Sequence, residues 1–240
     1  MRALEPYLPL LLRGIPVTLE VTALAICLAV AAAFALALGR LSPWAPARWG
    51  AGAVVETFRG TSALVQLFWA FYVLPFFGVK LPPLTAAVLV LGLNEGSYFS
   101  EVVRSALTSI RTGQLEAAVA LHLPARYRFF RIVLPQVLPV MMPPFGNSVV
   151  GMLKFTSLVS LVTVQDLSFR AGAIRSAIGS SAATYSVTLL VYFGLAIILG
   201  GGVRLLERAV NRWAGRDAHA AAGAAGARAS TVPAWAVLAR

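Results

Sequence analysis

The residues of this sequence most able to do chemistry are polar groups inside otherwise apolar stretches. Asn94, Tyr98, Glu101 and Ser105 are spaced at i, i+4, i+7 and i+11, which places them on one face of a helix. Glu95 lies about 100° away around the same helix. An ionisable group in hydrocarbon costs at least about 2.5 kcal/mol, so this stripe is expected to face a cavity or a neighbouring helix. A carboxylate there would suit a ligand's ammonium group.

The two acids on this helix favour different interpretations. Glu101 lies three residues before Arg104, and we predict a structural ion pair between them near the end of the helix. For Glu95 we favour an exposed position in a cavity.

Three further polar residues at membrane depth have less specific interpretations. Lys154 either offers a cation to a carboxylate ligand, or extends to the membrane surface, or pairs with Glu95 or Glu20. Gln66 and Asn147 are uncharged, and isolated amides in membranes most often hydrogen-bond between helices.

The sequence lacks the residues needed for a phosphate-binding loop, a metal site or a serine-nucleophile site. The dipeptide Gly-Lys of a phosphate-binding loop never occurs, so the chain is not expected to hydrolyse ATP itself. His122 and His219 belong to no metal-ligand cluster, and Cys27 is the one cysteine. No apolar span contains a histidine that could activate a serine nucleophile. We therefore expect neither an enzyme nor a cofactor bound by this chain.

The composition shows which elements must position the polar groups. Apolar residues make up 59% of the 240 residues, charged residues make up 12%, and the mean hydropathy is +0.80. These values indicate an all-α integral membrane protein, since a spanning helix needs about 20 apolar residues. Four prolines between residues 135 and 144 predict an irregular start to the fourth span. The five predicted spans cover about 15–39, 60–79, 82–104, 134–160 and 178–203.

The net charge of +11 is explained by topology. Segments 40–59, 104–131 and 204–240 carry three, five and six arginines, whereas the opposite loops carry five basic residues in total. The positive-inside rule then places residues 1–14 outside and the tail 204–240 in the cytoplasm, and no nucleic acid partner is needed. Arginines at every fourth position from 204 to 216 predict an anionic-lipid anchor. The rest of the tail is predicted to be disordered.

The connection over residues 105–131 carries the most specific motif. Its sequence runs Gln114-Leu-Glu116-Ala117-Ala118-Val-Ala-Leu121-His122, followed by Ile132-Val-Leu134-Pro135. This spacing resembles the cytoplasmic coupling loop of the permease subunits of bacterial ATP-driven (ABC) importers. From its pattern alone the segment is either a short helix that docks on another protein or a helix lying on the membrane.

Other segments resemble the polar amino acid uptake branch of that family, in the family's order. They are Glu56-Thr-Phe-Arg59-Gly-Thr61, Tyr98-x-x-Glu101-x-x-Arg104, Pro143-Pro-x-x-Asn147 and Lys154-x-Thr156-Ser157. Two positions depart from the pattern. His122 replaces the usual glycine of a turn that needs a positive φ, and Phe155 replaces the usual aspartate beside the lysine.

The resemblance implies a type I importer permease fold, with the loop docking on separate ATPase subunits that bind ATP and Mg²⁺. It also implies a second permease subunit, an extracytoplasmic solute-binding protein and a place in the bacterial inner membrane. The implied coupling residues are Gln114, Glu116, Ala117, Ala118, Leu121 and His122. The implied substrate path holds Gln66, Asn94, Glu95, Tyr98, Asn147, Lys154, Thr156 and Ser157.

The implied substrate is a polar amino acid or a similar zwitterion, with ectoine or hydroxyectoine as one subgroup. The alternative is a secondary transporter that uses Glu95 or Glu101 as an ion site, which would work without an ATPase. A membrane-embedded enzyme would need a catalytic constellation that the sequence does not offer.

Overall fold

The computed structural model describes residues 6–215, and that part of the chain is helical with no strand. Residues 216–240, including the end of the predicted arginine stripe, lie outside it. The helices are α1 (Leu8–Leu12), α2 (Ile15–Leu41), α3 (Ala45–Gly60), α4 (Ala63–Phe68), α5 (Pro83–Thr108), α6 (Thr112–Ala120), α7 (Ala125–Arg128), α8 (Leu134–Phe155), α9 (Leu167–Ile178) and α10 (Ser181–Trp213).

The predicted helical membrane class agrees with the observed elements. Three continuous helical stretches of the described chain are long and apolar enough to span a membrane: Leu8–Leu41, Ala125–Val162 and Ser181–Trp213. The pair Ala45–Gly60 and Ala63–Phe77, bent by 105°, is a fourth if it counts as one span. Helix α5 covers the predicted third span but carries Glu95, Glu101 and Arg104. The total of five spans therefore stays a prediction.

Small residues allow α2 and α5 to pack closely along their lengths. Ala25, Ala29, Ala33 and Ala37 recur every fourth residue on α2, and all four are buried. On α5 a β-carbon added to Gly96 would lie 2.9 Å from the carbonyl oxygen of Ala29. Backbones that approach this closely are typical of membrane helices, because packing and not water exclusion holds them together.

The predicted irregular start of the fourth span is wrong: α8 is helical through Pro139, Pro143 and Pro144. Pro135 lies in its first turn, where a missing N–H breaks no hydrogen bond. The turn before it, Phe129–Val133, widens into a π-helix in which the Leu134 N–H donates to the Phe129 carbonyl. The helix thus widens just before Pro135 and continues through the other three prolines without a break.

Candidate functional site

The predicted coupling segment forms a short helix with one buried and one exposed face. Leu115 and Ala118 of α6 are 0% and 3% exposed, whereas Gln114, Glu116 and Ala117 are exposed. Leu115 belongs to an apolar cluster with residues of α2, α5 and α8, including Ala37, Val103 and Val137. The inner face of the helix is thus buried in this cluster through Leu115, while Glu116 projects outward. Ala118 belongs to the anchoring face.

Helix α6 ends in a cap at which the backbone of His122 adopts the left-handed conformation. The His122 N–H donates to the Val119 carbonyl at 2.8 Å, and the Leu123 N–H donates to the Ala118 carbonyl at 3.1 Å. This pair of bonds is the Schellman motif, which favours glycine at the position that His122 occupies. The φ angle of His122 is 52°, so the predicted positive-φ turn is present and a histidine makes it.

An apolar side chain lies at the exposed end of this helix. Leu121 is 72% exposed and directly precedes His122. Leu121 and Glu116 therefore present one apolar and one negatively charged side chain on the exposed side of this segment.

The predicted ion pair between Glu101 and Arg104 is confirmed. Nε and Nη2 of Arg104 lie 2.9 and 2.8 Å from Oε2 of Glu101. Glu101 has two further partners that its sequence spacing does not predict. Arg40, at the end of α2, donates to Oε1 of Glu101, and Nη1 of Arg59 lies 3.6 Å from the same oxygen. One carboxylate, 22% exposed, therefore joins the ends of α2, α3 and α5.

Three of the predicted path residues meet at one open cavity. Asn94, Glu95 and Tyr98 line a space of about 570 Å³ together with Ser62 and Phe155. Glu95 supplies the carboxylate of this cavity. Phe155, one of the two departures from the resembled pattern, lines the same cavity as the acid.

The side-chain amide of Asn94 is committed to a structural cluster with Gln66. Nδ2 of Asn94 donates to Oε1 of Gln66 and to the carbonyl of Phe58, both at 3.0 Å. Nε2 of Gln66 donates to the Phe58 carbonyl at 2.9 Å and to Oγ1 of Thr61 at 2.7 Å. These bonds satisfy carbonyl and hydroxyl groups at the sharp bend between α3 and α4. Gln66 therefore acts between helices, as isolated amides commonly do.

Tyr98, which lines the cavity, contacts Arg59 of the ion cluster. The Tyr98 hydroxyl donates to the Arg59 carbonyl at 3.2 Å, and the Arg59 guanidinium lies 5.4 Å from the centre of the Tyr98 ring. A cation at this distance is attracted by the ring face.

Four other predicted path residues do not line this cavity. The side chains of Asn147 and Lys154 are exposed, and no ion pair in the described chain joins Lys154 to Glu95 or Glu20. Thr156 is fully buried and donates to the Leu153 carbonyl at 2.7 Å. Ser157 donates to the Lys154 carbonyl at 2.8 Å.

A buried polar cluster around Asp166, at the opposite end of the molecule from α6, was not predicted. Asp166 caps α9 by accepting the Phe169 N–H at 2.8 Å, and the Tyr192 hydroxyl of α10 donates to it at 3.2 Å. On the other side, the Leu167 N–H donates to Thr18 of α2 at 3.1 Å. Burial raises the pKa of the Asp166 carboxyl above its ordinary value. An aspartate before a helix is an N-cap signal that the sequence offers.

Comparison with known proteins agrees with this architecture. Residues 25–212 match the family described as "Binding-protein-dependent transport system inner membrane component". The chain is 41% identical over 215 residues to a probable amino-acid ABC transporter permease, y4tF, of Sinorhizobium fredii, covering 87% of this chain and 90% of that one. It is 33% identical to the L-cystine transport system permease TcyB of Bacillus subtilis, with 87% and 90% covered.

A solved structure shares the fold. The crystal structure of an amino acid ABC transporter with histidines matches with a TM-score of 0.78 and 30% identity, over 85% of this chain and 96% of that chain. The predicted importer permease fold is confirmed by this match.

Proposed function

The chain belongs to the family of binding-protein-dependent transport system inner membrane components, as a permease component of an ABC transporter, and we propose that it forms the path of an ATP-driven importer for a polar amino acid or an amino-acid-like zwitterion. In this proposal it lies in the bacterial inner membrane and pairs with a second permease subunit, identical or homologous. Separate ATPase subunits hold ATP and Mg²⁺, and an extracytoplasmic binding protein delivers the solute.

The observation that carries the proposal is the geometry of α6. Its inner face is fixed by Leu115 in the cluster of α2, α5 and α8, and its outer face presents Glu116 and Leu121. A helix held in this way moves together with the ends of the membrane helices. It therefore suits transmission of a movement from a bound ATPase, because a loosely attached loop would yield instead.

The ion cluster at Glu101 supports the same mechanism. It ties Arg40 of α2 and Arg59 of α3 to α5, seven residues before α5 ends and the chain leads into α6. A push on α6 would thus reach three helices at once. We propose that this cluster keeps these helix ends moving as one body during transport.

The proposed substrate class rests on Glu95 and on the relatives. The Glu95 carboxylate borders a cavity of about 570 Å³, a volume suited to a small solute, and a substrate ammonium would neutralise it. The similar proteins named above are described as amino-acid or L-cystine permeases. Ectoine and hydroxyectoine are also small zwitterions and belong in the test. In this proposal Asn147, Lys154, Thr156 and Ser157 contribute to the path only in the assembled permease pair.

Reconstitution tests the proposal. Liposomes would hold this chain with its second permease and ATPase subunits, the binding protein would be added outside, and uptake of labelled amino acids and ectoine would be measured with and without ATP inside. We expect uptake only with ATP and the ATPase. Uptake by the permease alone, driven by an ion gradient, would replace the proposal with a secondary transporter.

A further inference from the structure

A second cavity, unrelated to the path, lies at the predicted cytoplasmic ends of α2 and α5. Its volume is about 580 Å³, and its walls include Arg40, Arg48, Trp49, Glu56 and Arg104. Three arginines therefore border one open space with a single carboxylate in its wall. This composition indicates a site for an anion.

The charges around the cavity do not balance. Arg40, Arg59 and Arg104 surround Glu101, and Arg40 also lies 3.8 Å from Glu56. Adding Arg48 gives four positive charges against two negative ones. In the described chain Arg48 has no carboxylate within ion-pair distance, and its hydrogen bond to the Ser42 carbonyl is long, at 3.4 Å. Arg48 is thus the group most available to a ligand.

The surroundings of the cavity are those of a membrane surface. Trp44 and Trp49, at the start of α3, are 67% and 75% exposed. Tryptophan concentrates at the level of the lipid headgroups, where its ring is apolar and its N–H is wet. Arg40 is in the last turn of α2, a helix whose preceding two dozen residues are nearly free of charge. An anion bound here would lie at headgroup depth beside acyl chains.

We propose that this cavity binds the phosphate group of an anionic phospholipid of the cytoplasmic leaflet. Arg48 binds the phosphate directly, Arg40 and Arg104 contribute the positive field that Glu101 leaves uncompensated, and Trp49 packs on the glycerol and upper acyl region. The bound lipid joins α3 to the ends of α2 and α5. The site is independent of the transported solute, so its failure would leave the proposed function untouched.

Native mass spectrometry of the full-length chain in detergent tests the site, with phosphatidylglycerol and phosphatidylcholine as probes. We expect tighter binding of phosphatidylglycerol. Arg48→Gln should weaken it about fivefold, the amount typical of one basic residue at an anionic surface, and Arg48→Glu should weaken it further. Arg175→Gln, an exposed arginine on α9 at the opposite end, is the matched control and should bind as the wild type does.

Folding and alternative ligands are separated in the same experiment. Arg48 is exposed, so Arg48→Gln should unfold at the wild-type temperature in lipid-free detergent. Wild-type affinity for phosphatidylglycerol in Arg48→Gln, or equal binding of phosphatidylcholine, would overturn the proposal. Displacement of the lipid by an equal concentration of inorganic phosphate would show a soluble-anion site, and displacement by the purified ATPase subunit would show a protein interface; either result overturns it as well.

Discussion

Arg40 and Glu101 lie 61 positions apart in the sequence, yet the Arg40 guanidinium donates a hydrogen bond to the Glu101 carboxylate. The contact joins the last turn of α2 to the last two turns of α5. Arg59 and Arg104 approach the same carboxylate, so a single acid holds three arginines from three helices. Removing that acid leaves like charges facing one another.

We therefore expect Glu101→Gln to destabilise the protein by about 2 kcal/mol, the size of a lost charged hydrogen bond, and to reduce ATP-driven uptake. Glu56→Gln is the matched control, because Glu56 is 68% exposed and lies 3.8 Å from Arg40. Thermal unfolding in detergent and uptake in liposomes measure the two effects. Equal behaviour of the two variants would contradict a central role for Glu101.

Leu115 and Leu121 should separate anchoring of α6 from docking. Leu115→Ala removes a fully buried side chain and should cost about 2 to 5 kcal/mol, whereas Leu121→Ala should leave stability unchanged because Leu121 is 72% exposed. Leu121→Ala should instead reduce capture of the ATPase subunit by the solubilised permease. Separate anchoring and docking roles would be contradicted if Leu121→Ala unfolds earlier than Leu115→Ala, or if Leu121→Ala retains full ATPase capture.

The positive φ of His122 predicts how the stability of variants at this position is ordered. At a φ of 52°, His122→Gly should be tolerated, His122→Ala should resemble the wild type, and His122→Val should be less stable than the glycine variant by about 1 kcal/mol or more. All three lack the imidazole and the position is exposed, so the main difference between them is the ease of a positive φ. Thermal unfolding and ATPase capture are the measurements. Equal values for glycine and valine would show that the turn does not depend on φ.

Asp166 makes stability depend on pH. Burial raises its folded-state pKa, so the folded protein binds this proton more tightly than the unfolded chain. The carboxyl therefore contributes stability at low pH that is lost as the pH rises from the ordinary aspartate value of about 4 through the raised one. The advantage of the wild type over Asp166→Asn should shrink as the pH rises above about 4.

Unfolding temperatures of the two proteins across this range test the effect. Asp166→Ala, which removes the helix cap, should be less stable at every pH by about 1 kcal/mol. Parallel pH profiles for the wild type and Asp166→Asn would rule out titration of this carboxyl as the cause.

Local patterns in the sequence predicted much of this site. The i, i+3 spacing of Glu101 and Arg104 predicted their pair, and the motif around Glu116 predicted a short helix and the positive φ of His122. Arg40 and Arg59 were missed because no sequence spacing brings α2 and α3 to Glu101. That contact depends on how the helices pack.

Other failures have equally specific causes. The α8 prolines were expected to break the helix, but Pro135 lies in the first turn, where its missing N–H costs no hydrogen bond, and the helix continues through the other three. The bonds by which Gln66 and Asn94 satisfy the bend between α3 and α4 were not predicted, and their place in the path stays a prediction. A bend of this kind has no periodic signal. Asp166 was missed although a helix-capping aspartate can be recognised in a sequence.

The most direct test of the account is ATP hydrolysis by a complex assembled from this chain, its second permease, ATPase subunits and binding protein. Glu116→Lys reverses the exposed charge of α6, and Glu207→Lys reverses the charge of a carboxylate on α10 as the matched control. The account predicts that Glu116→Lys loses ATPase capture and substrate-stimulated hydrolysis, while Glu207→Lys keeps both. A Glu116→Lys complex that captures the ATPase and responds to substrate as the wild type does would contradict coupling through α6.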